Sequence, residues 1–173
     1  VHQADFLFGG DMKEIKLTSK LGMGLVALID DDDFDSVSRH HWWIKRDKNT
    51  NYVEAYINGK TVPLHRFLLN PDKGILCDHI NGDGLDNRRC NLRIVTNSQN
   101  GMNRAATQYF KNRPTSSRFK GVTLHKSGRW VASARRDKIY YHLGRFDNEI
   151  EAAGAYNRFA RENFGEFARL NEI

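Results

Sequence analysis

"DHINGDGLDNRRCNLRIVTNSQN", residues 78–100, decides how the rest of the chain is read. Asp78-His79 closes a strand-like stretch, Gly74–Ile80. Asn81–Cys90 is a long polar loop, Leu92–Thr96 is a second strand and Asn97–Arg104 is helical. Strand, loop, strand and helix fold into a compact ββα unit, which can bring Asp78, His79 and Asn100 to one point. That set suits metal-assisted hydrolysis of a phosphodiester. A hard divalent cation, Mg2+ or Mn2+, takes oxygen ligands and keeps several waters. The Asp78 carboxylate and the Asn100 amide oxygen would hold one such ion and leave room for a substrate phosphate. Neutral His79, whose ordinary pKa lies near working pH, could take a proton from the attacking water. Within the loop, Asn81-Gly82-Asp83-Gly84 reads as turn residues, and Asp83 and Asp86 as turn filler. An EF-hand is excluded because no Glu follows at the required place.

Upstream, Glu14–Thr18 alternates and Leu25–Ile29 is a buried-type run, with Gly22 and Gly24 as turn residues between them. Asp30–Asp33 reads as the acidic first turn of a short helix rather than as a metal site. Trp42–Ile44, Tyr52–Ile57 and Thr61–Leu64 read as strands, with a hairpin turn at Asn58-Gly59. Leu64–Asn70 reads as a helix ended by Pro71. Residues 1–11 are set aside as an N-terminal extension, and 12–104 form the first domain.

Residues 105–117 are polar and basic, carry no acid and read as a linker or extended arm. Arg104, Lys111 and Arg113 are placed there to follow phosphates or the minor groove. Arg118–Lys126, Arg129–Arg136 and Ile139–Phe146 are strand-length, with turns at Ser127-Gly128 and Asp137-Lys138. Asn148–Phe164 reads as one amphipathic helix. Asn148 is its N-cap, with Glu151 placed for a capping box, and Ala152, Ala153, Tyr156, Phe159 and Ala160 form its apolar stripe. The second domain, 118–173, is thus a three-stranded antiparallel sheet packed on one helix, and the fold class is α+β.

Charge divides along the same line. The 173 residues carry a formal net charge of +6. Residues 1–96 hold 13 basic and 14 acidic side chains, whereas 97–173 hold 14 basic and 7 acidic. The positive excess therefore lies in the second part, which suits a polyanion partner such as nucleic acid. No run of about 18 apolar residues exists to cross a membrane, and no signal peptide is visible. Two cysteines, Cys77 and Cys90, are too few for a disulfide scaffold or a zinc ribbon. They read as reduced core thiols in an intracellular, reducing compartment.

The stretch 78–100 resembles the HNH nucleases, and within them the phage and intron homing endonucleases. The features carrying the likeness are Asp78-His79, Asn91 before the second strand in Asn91-Leu92-Arg93, and Asn100 on the helix. The resemblance implies a ββα-metal core with His79 as general base and Asp78 and Asn100 as ligands of one Mg2+ or Mn2+. It implies that Asn91 holds the loop so that His79 points correctly, and that Arg93 assists at a phosphate. Leu64-His65-Arg66-Phe67 is also similar to a segment of these enzymes, without a role attached to His65.

Residues 119–171 resemble a second family, the Apetala-type or ethylene-response-factor DNA-binding domain. Lys120-Gly121-Val122, Gly128-Arg129-Trp130, Leu143-Gly144, Glu151-Ala152-Ala153 with Tyr156, and Ala168–Asn171 carry it. Such domains lay their sheet in the DNA major groove. Lys120, Arg129 and Arg135 match basic contact positions. Thr123, His125, Ser127, Tyr140 and His142 stand where plant members carry Arg or Trp, and Ser133 stands at an acidic position, so no base preference carries over. Strand alternation puts Trp130, Ala132 and Ala134 toward the helix, and Arg129, Val131, Ser133 and Arg135 outward.

Together the two likenesses imply a metal-dependent, sequence-directed endonuclease of the homing type. Its substrate is double-stranded DNA, met in a bacterial or phage-infected host, and it acts as a monomer that nicks or a homodimer that cuts both strands. Two alternatives stand beside it. One is a non-catalytic DNA-binding regulator derived from such a nuclease. The other is a zinc-stabilised module using Cys77, Cys90 and histidines.

Overall fold

The computed structural model describes residues 11–18, 24–47, 50–110 and 113–173. The expectations for residues 1–10, Gly22 and Lys111 lie outside them. The chain is mixed α+β and divides into two compact units, residues 1–95 and 96–173. This division precedes the linker expected at 105–117, so the helix after Thr96 groups with the second unit.

In the first unit, β1 (Met12–Lys16) pairs antiparallel with β2 (Val26–Asp30). The acidic run forms a 3-10 turn, Asp31–Asp33, leading into α1 (Phe34–Val37). Strands β3 (Trp42–Arg46), β4 (Asn51–Ile57) and β5 (Lys60–Pro63) make an antiparallel sheet. Asn58 and Gly59 both have positive φ (48° and 78°), as a tight hairpin turn demands. Helix α2 (Leu64–Leu69) stops at Asn70, which takes the left-handed conformation ahead of Pro71. Ile15, Ala27, Ile29, Val37, Trp42, Ile44, Val53, Leu64 and Leu92 share one core. Trp42 is its largest member, and its indole N–H donates to the Val37 carbonyl at 2.8 Å. Truncating so large a buried side chain costs about 3–5 kcal/mol.

The decisive stretch supplies β6 (Leu76–His79) and β7 (Leu92–Val95), paired antiparallel with Asp78 opposite Arg93 and His79 opposite Leu92. Their connecting loop is pinned to β2. Leu28 N–H donates to Leu85 O at 2.8 Å, and Asn87 N–H donates to Leu28 O at 2.7 Å. Gly84 lies so close to β4 that a Cβ there would stand 2.2 Å from the Asn51 carbonyl oxygen.

The second unit begins with α3 (Asn97–Asn103), which carries a full capping box between Thr96 and Gln99. The expected linker contains two short paired strands, β8 (Tyr109–Phe110) and β9 (Arg113–Pro114). A three-stranded antiparallel sheet follows: β10 (Val122–Leu124), β11 (Trp130–Arg136) and β12 (Ile139–Phe146). Strand β10 is shorter than Arg118–Lys126, because Gly121 turns the chain with φ 75°. A Cβ on Gly121 would stand 2.2 Å from the Tyr156 ring, so only glycine fits. Helix α4 (Glu149–Phe164) is capped by Asn148, whose side chain accepts from Ile150 N–H at 2.7 Å.

Ala132 and Ala134 of β11 face α4, which presents Ala152, Ala153, Tyr156 and Ala160 as the stripe requires. The inward alternation expected for β11 is therefore what the sheet shows.

Candidate functional site

His79 ends β6 and is 4% exposed. Its Nε2 lies 3.3 Å from Oδ1 of Asn87, which is wholly buried. The Asn87 amide is oriented from its other side, where Nδ2 donates to the Gly84 carbonyl at 3.1 Å. Oδ1 thus faces the imidazole as an acceptor, so the neutral ring carries its proton on Nε2. Rings also surround His79: His65 of α2 stands edge-on at 5.0 Å between centroids, and Tyr52 of β4 at 5.9 Å. Burial lowers the His79 pKa, opposed by the Asn87 hydrogen bond and by Asp78, Asp83 and Asp86. Burial, with His79 and Arg66 adding to it, lowers His65 to about 3. Both rings are therefore neutral near pH 7.

Asn91 fastens the two ends of the loop. Its Oδ1 accepts from Asn81 N–H at 3.0 Å, and its Nδ2 donates to Asp86 O at 2.7 Å and to Asn81 Oδ1 at 3.0 Å. Asp86 is not filler. It is 4% exposed, takes a two-point contact from Arg88 at 2.7 and 2.8 Å, and accepts from Asn81 Nδ2 at 3.0 Å. The Arg88 hydrogen bonds hold its carboxyl below the usual range. Asp83 does fit the turn reading, since its Oδ1 accepts from Leu85 N–H two residues on. The acidic run serves the same loop, for Asp33 takes Arg89 at 2.7 and 2.9 Å and Asp30 accepts from Arg89 N–H at 2.6 Å. Cys77 is half-buried and Cys90 is exposed, so Cys90 is not a core thiol; both are free.

Asp78 and Arg93 face each other across the hairpin, with the guanidinium 3.1 and 3.3 Å from Oδ2. Asp78, His79, Asn91 and Arg93 are in the first unit, and Asn100 is on α3 in the second.

The outward sheet face of the second unit follows from register, since cross-strand partners share a face. Thr123 pairs with Val131, and Val131 with Arg145; Ser133 pairs with His142, and Arg135 with Tyr140. A bulge at Ala132/Ser133 leaves Leu143 as the extra residue and brings Arg145 onto this face. Arg145, Arg135, Tyr140, His142 and Thr123 are exposed. Simple alternation of β12 misses Arg145, because only the bulge reveals it. Arg129 is exposed but paired with Asp147 at 2.8 Å. His125 Nδ1 is bonded to Ser127 at the turn. Lys120 points its ammonium to the Gly101 and Met102 carbonyls. Arg104 and Arg113 are exposed.

A family model described as HNH endonuclease matches residues 71–102, which span β6, the loop, β7 and most of α3. An HNH endonuclease of Acanthamoeba polyphaga mimivirus, described as uncharacterized, is 32% identical over 158 residues, 88% of this chain and 78% of the relative. The chain belongs to the HNH endonuclease family. The rice (Oryza sativa) APETALA2-like protein 2, in both the indica and japonica subspecies, is 57% identical over 58 residues, 32% of this chain and 13% of the plant protein. No solved structure matches the chain.

Among the described residues, no group of three or more His, Cys, Asp and Glu side chains stands together as a metal cage. The Asp78 carboxylate and the Asn100 amide oxygen are each hard oxygen donors, the kind taken by a divalent ion that keeps most of its waters. The buried Asn87 beside His79 is the residue that sequence reading passed over. Its only signal was its place in a polar loop. Among the described residues, no helix is long and apolar enough to cross a membrane.

Proposed function

We propose that this HNH endonuclease is a metal-dependent, sequence-directed DNA nuclease of the homing type. One observation carries the reading: a buried, neutral His79 at the end of β6, next to Asp78 and held by Asn87 of the loop that Asn91 fastens, within the residues that match the family. His79 takes the proton of the attacking water. Because Asn87 keeps Nε2 protonated, Nδ1 is the basic atom. By the family resemblance, Asp78 and Asn100 would hold one Mg2+ or Mn2+ in a ββα-metal core. A bound divalent ion supplies charge stabilisation on the phosphate and the leaving 3′ oxygen. Arg93 keeps the Asp78 carboxylate aligned across the hairpin and offers positive charge near the phosphate.

The second unit supplies targeting. Its likeness to the rice protein and its exposed basic sheet face support docking in the major groove of double-stranded DNA. Thr123, Ser133, Arg135, Tyr140, His142 and Arg145 face the bases or backbone there. Arg129 and His125 lie at the face's edge, and Arg104, Lys111 and Arg113 follow phosphates. A nuclease centre that reads mostly backbone gains selectivity from such a tethered reader.

The test is cleavage of DNA from the protein's genomic neighbourhood, with and without Mg2+, with ends mapped on both strands. His79→Ala should lower the rate about 10²–10⁴-fold and leave DNA binding nearly intact. Equal loss of cleavage and binding would sink the general-base role.

A further inference from the structure

Helix α3 is short, and its C-terminal carbonyls are completed from far along the chain. A helix end leaves its last four carbonyls without partners inside the helix. No basic residue lies in the last turn of α3, and no glycine closes it. Asn100 O accepts from Arg104 N–H at 3.1 Å. Gly101 O and Met102 O both accept from the Lys120 ammonium, and Met102 O also accepts from Arg169 N–H at 3.3 Å. A cation at this end also meets the negative pole of the helix.

Lys120 is itself fixed by Asn171, whose Oδ1 accepts from Lys120 N–H at 2.7 Å and whose Nδ2 donates to Lys120 O at 3.1 Å. At the other end of α3, Ser98 Oγ accepts from Asp137 N–H at 3.0 Å. Between the two ends, the Met102 side chain is buried with Ala134, Tyr156, Ala160 and Phe164.

We propose that Lys120 is a positioning residue for Asn100: it clamps the end of α3 and so sets the amide that the proposed function assigns to the metal. This rests on the assignment of Asn100 to the metal. It takes Lys120 away from the DNA-contact role that its place in Lys120-Gly121-Val122 implies. An ammonium committed to two helix-end carbonyls is poorly placed to serve as a mobile phosphate contact.

The test uses the full chain in four forms: wild type, Lys120→Met, Ser98→Ala and Asn100→Ala. Mn2+ binding is read from the free-ion electron paramagnetic resonance signal, and binding to a mixed-sequence duplex is followed across salt without divalent metal. Lys120→Met should weaken Mn2+ binding about tenfold, the scale on which supporting residues act on metal sites. It should leave the salt dependence of DNA binding as in wild type, and its cleavage should recover when Mg2+ is raised. Ser98→Ala should weaken Mn2+ in the same direction by less. Lacking only a hydroxyl, it decides the matter if Lys120→Met does not fold.

Unchanged Mn2+ affinity in Lys120→Met, with a salt slope reduced by about one, overturns the clamp and makes Lys120 a phosphate contact. Weakened Asn100→Ala beside unchanged Lys120→Met and Ser98→Ala overturns the clamp alone. Unchanged Asn100→Ala overturns the metal assignment and the clamp together.

Discussion

The two units use charge in opposite ways. In the first, Arg88 is locked on Asp86, Arg89 on Asp33 and Arg93 on Asp78, all around the β6–β7 hairpin. These contacts use charge to hold the hairpin in one shape, in a stretch, residues 1–96, whose 13 basic and 14 acidic side chains nearly balance. In the second, Arg135 and Arg145 stand exposed on a sheet face beside Thr123, Tyr140 and His142. There the charge is displayed. The difference suits two tasks: a reacting centre needs side chains fixed in place, whereas attraction of a polyanion needs charge that solvent and partner can reach.

The sharpest way to break this contrast is at Asn87. Asn87→Ala removes the acceptor at His79 and the donor to the Gly84 carbonyl, leaving buried polar groups unpaired. It should cost about 1–3 kcal/mol of stability, read by chemical denaturation, and lower the cleavage rate at saturating DNA while DNA affinity holds. Full activity with normal stability would show that the loop does not depend on its buried network.

A second, smaller effect concerns pH. His65 and His79 are both lowered, so the folded chain keeps them neutral where the unfolded chain protonates them near 6.5. The unfolded state then binds more protons. Stability from these rings is full above about 6.5 and is lost as pH falls toward the folded value of about 3 for His65. The melting temperature should decline between pH of about 7 and about 5, and His65→Leu should flatten that decline. An identical slope in the variant would remove His65 from the account.

The smallest effect expected is at the displayed face. Arg145→Ala should reduce the salt slope of DNA binding by about one and leave stability and cleavage of bound DNA unchanged. A loss of stability instead would place Arg145 in the framework rather than on the face.

Much of the fold is legible because local signals agree with it. Asn58-Gly59 and Asp137-Lys138 turn with positive φ where strands must reverse, and the small-residue stripe of α4 meets the inward residues of β11. The part that stays hidden depends on partners distant in sequence. Nothing near Asn87 marks it as buried until β2 takes its N–H. Asp33 and Arg89 meet across 56 positions, and Arg145 reaches its face through a bulge that alternation cannot foresee. Lys120 sits in a motif that points to DNA, while its ammonium is used on α3. Asp78, His79 and Asn91 were readable by their type and spacing, but the residues that orient them were not.

The alanines between the sheet and α4 have a consequence for how recognition can change. Ala132, Ala134, Ala152, Ala153 and Ala160 bring strand and helix close with little side-chain volume, and Gly121, against the Tyr156 ring, admits no larger residue. The framework is carried on one side of the strands and the displayed residues on the other. Exchanging Thr123, Ser133 or His142 therefore changes the displayed face without loosening what holds it; on the proposed reading of that face, a new target is acquired through ordinary substitutions, with no need to re-evolve the fold.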